Sequence, residues 1–154
     1  MTPRLITPLF LALFLGGISC QKEPDVTLES RTDLLTSGTW RLTGHTFDPP
    51  LDLDNDGEAD DTDFFPYYED CEKDDFYQFN ADGSGVLDEG PTKCDADDPQ
   101  TYPFTWSWRE NETVLYAQGQ EIHVTELTKT TLKGTVTENF SGTETVTMTL
   151  TFSR

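Results

Sequence analysis

Basic residues and histidines are scarce in this chain. Ten Lys and Arg stand against 29 Asp and Glu, for a formal net charge of −19. A surface of that sign repels phosphate backbones, so nucleic acid is excluded as a partner, and it attracts cations. The two histidines, His45 and His123, are far apart in sequence and give no support to a shared metal centre. The chain has no Gly-x-Ser-x-Gly elbow, the usual mark of Ser-His-Asp hydrolysis. Carboxylates for glycoside hydrolysis could be drawn from Asp70, Asp74, Asp88 or Glu126, yet nothing in the sequence pairs any two. A non-enzymatic protein is expected. No repeat recurs at a fixed period, which argues against a propeller or solenoid.

Long apolar runs are also missing, with one short exception at the N-terminus. Arg4 supplies a positive start, residues 5–15 are almost wholly apolar, and Gly16, Gly17, Ile18 and Ser19 lead to Cys20. This falls below the ~20 residues a spanning helix needs and suits a signal peptide over residues 1–19. A cysteine directly after a small residue at such a point resembles the lipobox of bacterial lipoproteins, with Gly17 standing where that family usually has Leu. The resemblance implies that Cys20 is alkylated with diacylglycerol, becomes the new N-terminus and anchors the protein to a membrane. Each buried methylene contributes ~0.8 kcal/mol, so one acyl chain holds marginally and two or more hold firmly. Residues 20–29 then comprise the lipidated cysteine and a polar tether. Gln21 is not the Asp associated with inner-membrane retention, so the resemblance points to the bacterial outer membrane, facing the periplasm or the cell surface.

With Cys20 assigned to lipid, Cys71 and Cys94 remain as an even pair in an oxidising compartment. A bridge between them closes a loop of about 23 residues and stabilises the fold by roughly 3 kcal/mol. The rival reading, a metal or catalytic thiol, lacks nearby histidines.

From residue 30 onward one domain is expected. Ser30 and Asp33 resemble a capping box opening a brief helix that ends near Gly38. Trp40 and Leu42 then alternate with Arg41 and Thr43, and the pattern is strands throughout: residues 40–47, 75–80, 85–88, 104–108, 113–118, 121–127, 132–137 and 145–152. In the last, Val146, Met148, Leu150 and Phe152 alternate strictly with Thr147, Thr149 and Thr151. Two irregular stretches interrupt, an acidic one at 48–74 and another at 89–102. About eight short strands at hairpin spacing close most economically into an all-β, antiparallel up-and-down barrel, because closure removes exposed edges.

Gly38-Thr39-Trp40 at the start of the first strand is similar to the Gly-x-Trp signature of lipocalins. The run Cys71-Glu72-Lys73-Asp74-Asp75, then Phe79-Asn80-Ala81-Asp82-Gly83, Gly90, Cys94 and Trp106, resembles the lipocalin-like domain of small Gram-negative lipoproteins. The resemblance covers residues 34–154. It implies a small eight-stranded barrel, a tryptophan across its closed end, a disulfide tying a loop to a hairpin, and no enzymatic activity.

The most specific local pattern is the twelve residues from Asp52 to Asp63. Side-chain oxygens fall at positions 1, 3, 5, 9 and 12, with Gly57 at position 6. That is calcium-loop spacing, since a hard cation wants six or more oxygens and the glycine permits the sharp turn around it. Asp52, Asp54 and Asp56 are the expected direct ligands. Glu58 would add its backbone carbonyl, Asp60 a water-mediated contact and Asp63 the closing carboxylate. The flanks, Pro49-Pro50 and Phe64-Phe65-Pro66, are not helical, so this resembles the isolated aspartate-rich loops of extracellular modules, with dissociation constants on the order of 10⁻⁴–10⁻³ M. The bland alternative is a solvated acidic loop.

Phe104, Trp106 and Trp108 share one strand face and are expected to fill the core rather than line a pocket. Asn111-Glu112-Thr113 and Asn139-Phe140-Ser141 match a glycosylation pattern but read as turns. The sequence thus describes a non-enzymatic lipoprotein with a barrel, taking a small apolar ligand. Its alternative is an assembly lipoprotein that contacts an envelope protein through its acidic loops.

Overall fold

The computed structural model describes residues 29–140 and 144–154; Cys20 and the leader lie outside them. At Ser30 the side chain accepts a hydrogen bond from the Asp33 amide at 3.0 Å, and the Asp33 carboxylate accepts from the Ser30 amide at 3.2 Å. That reciprocal cap opens α1 (Arg31–Thr36), which ends before Gly38.

Nine strands follow: β1 (Thr39–Leu51), β2 (Asp61–Asp63), β3 (Phe76–Phe79), β4 (Ser84–Asp88), β5 (Thr101–Arg109), β6 (Val114–Ala117), β7 (Gln120–Leu127), β8 (Thr131–Phe140) and β9 (Glu144–Ser153). Strands β3 to β9 pair antiparallel with their chain neighbours. The sheet closes because β1 pairs with β3 on one edge and with β9 on the other. The result is an eight-stranded barrel, as the alternation of apolar residues predicts. The short β2 adds a hem to β1 beyond its pairing with β3. Between β2 and β3 lie a 3-10 turn (Phe65–Tyr67) and a one-turn helix, α2 (Asp70–Lys73).

Sidedness follows from register. Leu42 lies opposite Phe152 and His45 opposite Leu150, with a register shift between Leu42 and Gly44. One extra residue there lets Trp40, Leu42, His45 and Phe47 all face inward, although the step from Leu42 to His45 is three positions rather than two. A second shift between Val124 and Glu126 does the same for β7.

Because neighbouring strands run antiparallel, successive connections alternate between the two ends of the barrel, which thus has a floor and a mouth. The floor is dry. Leu35 from α1 and Trp40 from β1 are both 0% exposed. The Trp40 indole N–H donates to the Leu35 carbonyl at 2.8 Å, and the Trp108 N–H to the Thr32 hydroxyl at 3.1 Å. The Arg154 guanidinium stacks 3.9 Å from the Trp40 ring and donates to the Ser37 hydroxyl and the Leu34 carbonyl. Each indole, the buried Trp40 and the half-buried Trp108, thus brings apolar area while its polar atom stays paired. The mouth carries the irregular segments: residues 52–75, the loop after β4, and the Gln118-Gly119 turn.

Two expectations change in detail. The first strand runs on through Pro49 and Pro50 to Leu51, because at that point β1 has left β3 and the prolines need donate no ladder hydrogen bond. Asn139 and Phe140 are the end of strand β8 rather than a turn, paired with Thr145 and Glu144.

Candidate ligand cavity and acidic rim

Above the floor the barrel is hollow. A cavity of about 300 Å³ opens toward the mouth, walled by Phe79, Phe104, Ile122, Val136, Met148 and Phe152 among others. Small residues make the room. A Cβ at Gly85 would sit 2.3 Å from the Phe104 ring, so glycine lets that ring lie flat on the wall. Gly134 lies under Ile122 in the same way, at 2.5 Å, and Ala117 completes a third strand without bulk. The aromatic stripe on β5 therefore divides. Trp106, 7% exposed, packs in the core and donates to the Asn80 and Ser84 carbonyls at 3.0 Å, and Trp108 binds α1 at the floor. Phe104 alone of the three lines the cavity, against the expectation that all three would be filler.

Polar groups appear near the mouth: His45, Tyr68, Gln118, Gln120 and Glu138. His45 is buried, its Nδ1 lies 2.9 Å from the Tyr68 hydroxyl, and its ring packs against Phe47 and Phe64. Burial lowers its pKa, against a weaker upward pull from Asp63, so the imidazole is neutral at physiological pH. The Phe64 amide donates to the His45 carbonyl at 2.8 Å and stitches the insertion to β1. Tyr68 titrates higher than usual, through burial and then the nearby Glu72. His123 is on β7, exposed on the outer face, so the two histidines share no site.

Cys71 on α2 and Cys94 in the loop after β4 are bridged, with Cα atoms 5.2 Å apart. Both sulfurs are consumed, which removes the thiolate alternative. Beside the bridge is a crowd of carboxylates. Asp75 is pushed up to about 6, first by desolvation and then by Glu89, Asp74, Glu72 and Asp88. Of the acids weighed for hydrolysis, Asp74 and Asp88 belong to this crowd. Asp70 pairs with Lys73 at 3.9 Å and is fully exposed, and Glu126 is exposed on β7 opposite Lys133.

In the loop from Asp52 to Asp63, Asp52, Asp54 and Asp56 bring carboxylate oxygens within 4.8 Å of one another. Asn55 (φ 64°) and Gly57 (φ 96°) turn the chain through left-handed conformations. The Gly57 amide donates to the Asp52 carboxylate at 3.1 Å, and the Asp56 and Glu58 amides donate to Asp54 and Asp56. Glu58 and Asp60 are exposed and stand outside the three-carboxylate group. Asp63 lies in β2 and accepts from the Phe65 amide at 3.0 Å. Asp61, which the spacing did not single out, reaches back to the Leu53 and Asp54 amides at 2.9 and 3.3 Å. The donors are hard oxygens throughout, which suits a cation such as calcium.

A closed antiparallel barrel with a dry floor, a hollow interior and one open mouth is a cup-shaped binding architecture. Residues 36–134 match the family described as a lipocalin-like domain, and the chain belongs to that family. Among solved structures, a deswapped triple mutant of bovine odorant binding protein is similar, with a TM-score of 0.40 and 12% identity over 76% of this chain and 72% of that one. No curated protein matches the chain.

Proposed function

We propose that this protein is a non-enzymatic, lipid-anchored envelope protein whose barrel binds a small apolar ligand. The cavity of about 300 Å³ is the observation that carries this reading. It is at the lower end of ligand-pocket volumes and follows their usual pattern, apolar walls with a few polar groups gathered at one end. Binding of 1-octanol, followed by calorimetry and native mass spectrometry, tests it. One molecule per chain is expected, and Met148→Trp, which puts an indole into the cavity, should abolish the signal without unfolding the barrel. Unchanged binding in that variant would place octanol elsewhere and defeat the reading. Stable capture of an envelope protein, with no cavity ligand, would favour an assembly role for the acidic rim, where Tyr67 is 46% exposed.

The anchor belongs to the same proposal. Ser30 caps α1 on the barrel floor, so a tether from a lipid on Cys20 would enter at the closed end. The mouth would then look away from the outer membrane.

Calcium is the proposed resident ion, held by Asp52, Asp54 and Asp56, with the Glu58 carbonyl and Asp60 adding oxygens. Asp63, whose Oδ1 accepts from the Phe65 amide, would close the site with its other oxygen, and Asp61 already lies against the loop. The cation would offset the mutual repulsion of these carboxylates. Ten millimolar calcium should raise the thermal midpoint by several degrees over chelator, because a ten- to hundredfold excess over a dissociation constant on the order of 10⁻⁴–10⁻³ M adds ~1.4–2.7 kcal/mol. Asp56→Ala should cancel the rise. No movement of the midpoint would leave the segment a solvated loop.

A further inference from the structure

We propose that the cavity is selective for charge, and that its ligand is an apolar amine whose ammonium group sits at Glu138 in the mouth. This rests on the cavity being a binding site and adds the chemical class of what it takes.

Glu138 continues the inward face of β8. Leu132, Gly134, Val136 and Glu138 all line the cavity, with β9 opposite presenting Phe152, Leu150, Met148 and Val146 in register. Three of the four β8 positions are apolar or small, and the fourth, nearest the mouth, is a carboxylate. Among the described residues Glu138 has no salt bridge and no side-chain hydrogen bond, and neither Lys nor Arg lines the cavity. Glu138 is half-exposed at the mouth, so it stays hydrated and ionised there, and a cationic head group arriving with an apolar body would be its counterion.

The surroundings reinforce that sign. Asp52, Asp54 and Asp56 stand on one rim segment, Asp74, Asp75, Asp88 and Glu89 on others, and the whole chain carries −19. A cleft of one sign with low-dielectric walls concentrates counterions and turns like charges away. His45, the one lining group able to become cationic, has its pKa lowered by burial and so brings no positive charge to an anion, only an Nε2 unpaired among the described residues. Tyr68, Tyr77 and Phe104 place aromatic rings in the wall, and an aromatic ring attracts a cation lying over its face. A carboxylate-headed ligand such as a fatty acid would meet repulsion at every stage of entry. An amine would meet attraction, then an apolar chamber for its body.

Calorimetric titration with octylammonium, 1-octanol and octanoate isolates the head group, since the tail is common to all three. Octylammonium should bind at least about tenfold tighter than octanoate, with octanol between them. Glu138→Gln should bring octylammonium down to the level of octanol and leave octanol unchanged. Because Glu138 is half-exposed and unpaired, this variant should melt with the wild type. Methylammonium, a cation without a tail, should neither saturate nor compete. Octanoate binding as tightly as octylammonium overturns the proposal, as does a preference for the amine that survives Glu138→Gln. Competition by methylammonium also overturns it, since that would mark simple pairing at the acidic surface. If octanol binds and the amine binds no better, the charge preference fails while the cavity reading stands. If none of the three octyl compounds binds, the cavity reading itself fails.

Discussion

Replacing Trp40 with alanine should cost about 3–5 kcal/mol of stability, the range for emptying a buried aromatic site. Three losses coincide at this residue. The indole is wholly buried, its N–H satisfies the Leu35 carbonyl at 2.8 Å, and its face carries the Arg154 guanidinium. Arg154 in turn ties Ser37 and Leu34, so the end of β9 and the end of α1 lose their common anchor. Leu35, also fully buried at the floor, would be left facing a void. Urea unfolding monitored by far-ultraviolet circular dichroism is the measurement. Tyr67→Ala, at an exposed position, is the control and should stay within about 0.5 kcal/mol of wild type. A loss below about 1 kcal/mol for Trp40→Ala would show that the floor is not where the barrel is held.

Removing the bridge with Cys71→Ser and Cys94→Ser together should cost roughly 3 kcal/mol, from freeing a loop of 23 residues in the unfolded chain. The location of the damage is as informative as its size. The bridge joins α2 to the loop after β4, both on the rim, while the floor contacts lie at the other end. Hydrogen exchange should therefore quicken in residues 64–75 and 89–100, with β1, β8 and β9 still protected. The crowded carboxylates around Asp75 sharpen this expectation. Held together by the bridge they repel one another, and once it is gone they can move apart. If exchange rises uniformly instead, the rim and the barrel unfold as one unit and the bridge stabilises both.

Much of this architecture can be read from residues alone, for definable reasons. The eight barrel strands show in the alternation, most plainly in Val146, Met148, Leu150 and Phe152, because one face is buried and the other wet. The reciprocal cap of Ser30 and Asp33 is a local pattern and needs no tertiary information. The pairing of Cys71 with Cys94 follows from counting once Cys20 is set aside. By contrast, the cavity depends on which small residues stand opposite which large ones. Gly85 beneath Phe104 and Gly134 beneath Ile122 are contacts between strands, invisible along a single one. For that reason Phe104 looks the same as Trp106 in sequence, yet one faces the hollow and the other the floor. His45 escapes the alternation because an extra residue near Gly44 resets it. Asp61 escapes the calcium spacing because its role is to brace the loop backbone. Glu138 reads as one acid among 29 until its neighbours on β8 show which way it faces.

The molecule separates its foundations from its frontage. Trp40, Leu35, Trp106 and Leu115 form one continuous packed base, and no segment between β1 and β3 contributes to it. Residues 52–75 and 89–100 hang on the opposite end, fastened to each other by a single covalent clasp. Changes in length or composition there are felt by whatever approaches the opening and hardly at all by the base. Such a plan lets descendants of one barrel trade targets by rewriting the frontage, and it offers the protein engineer a cup whose lip can be replaced while its bottom is left alone.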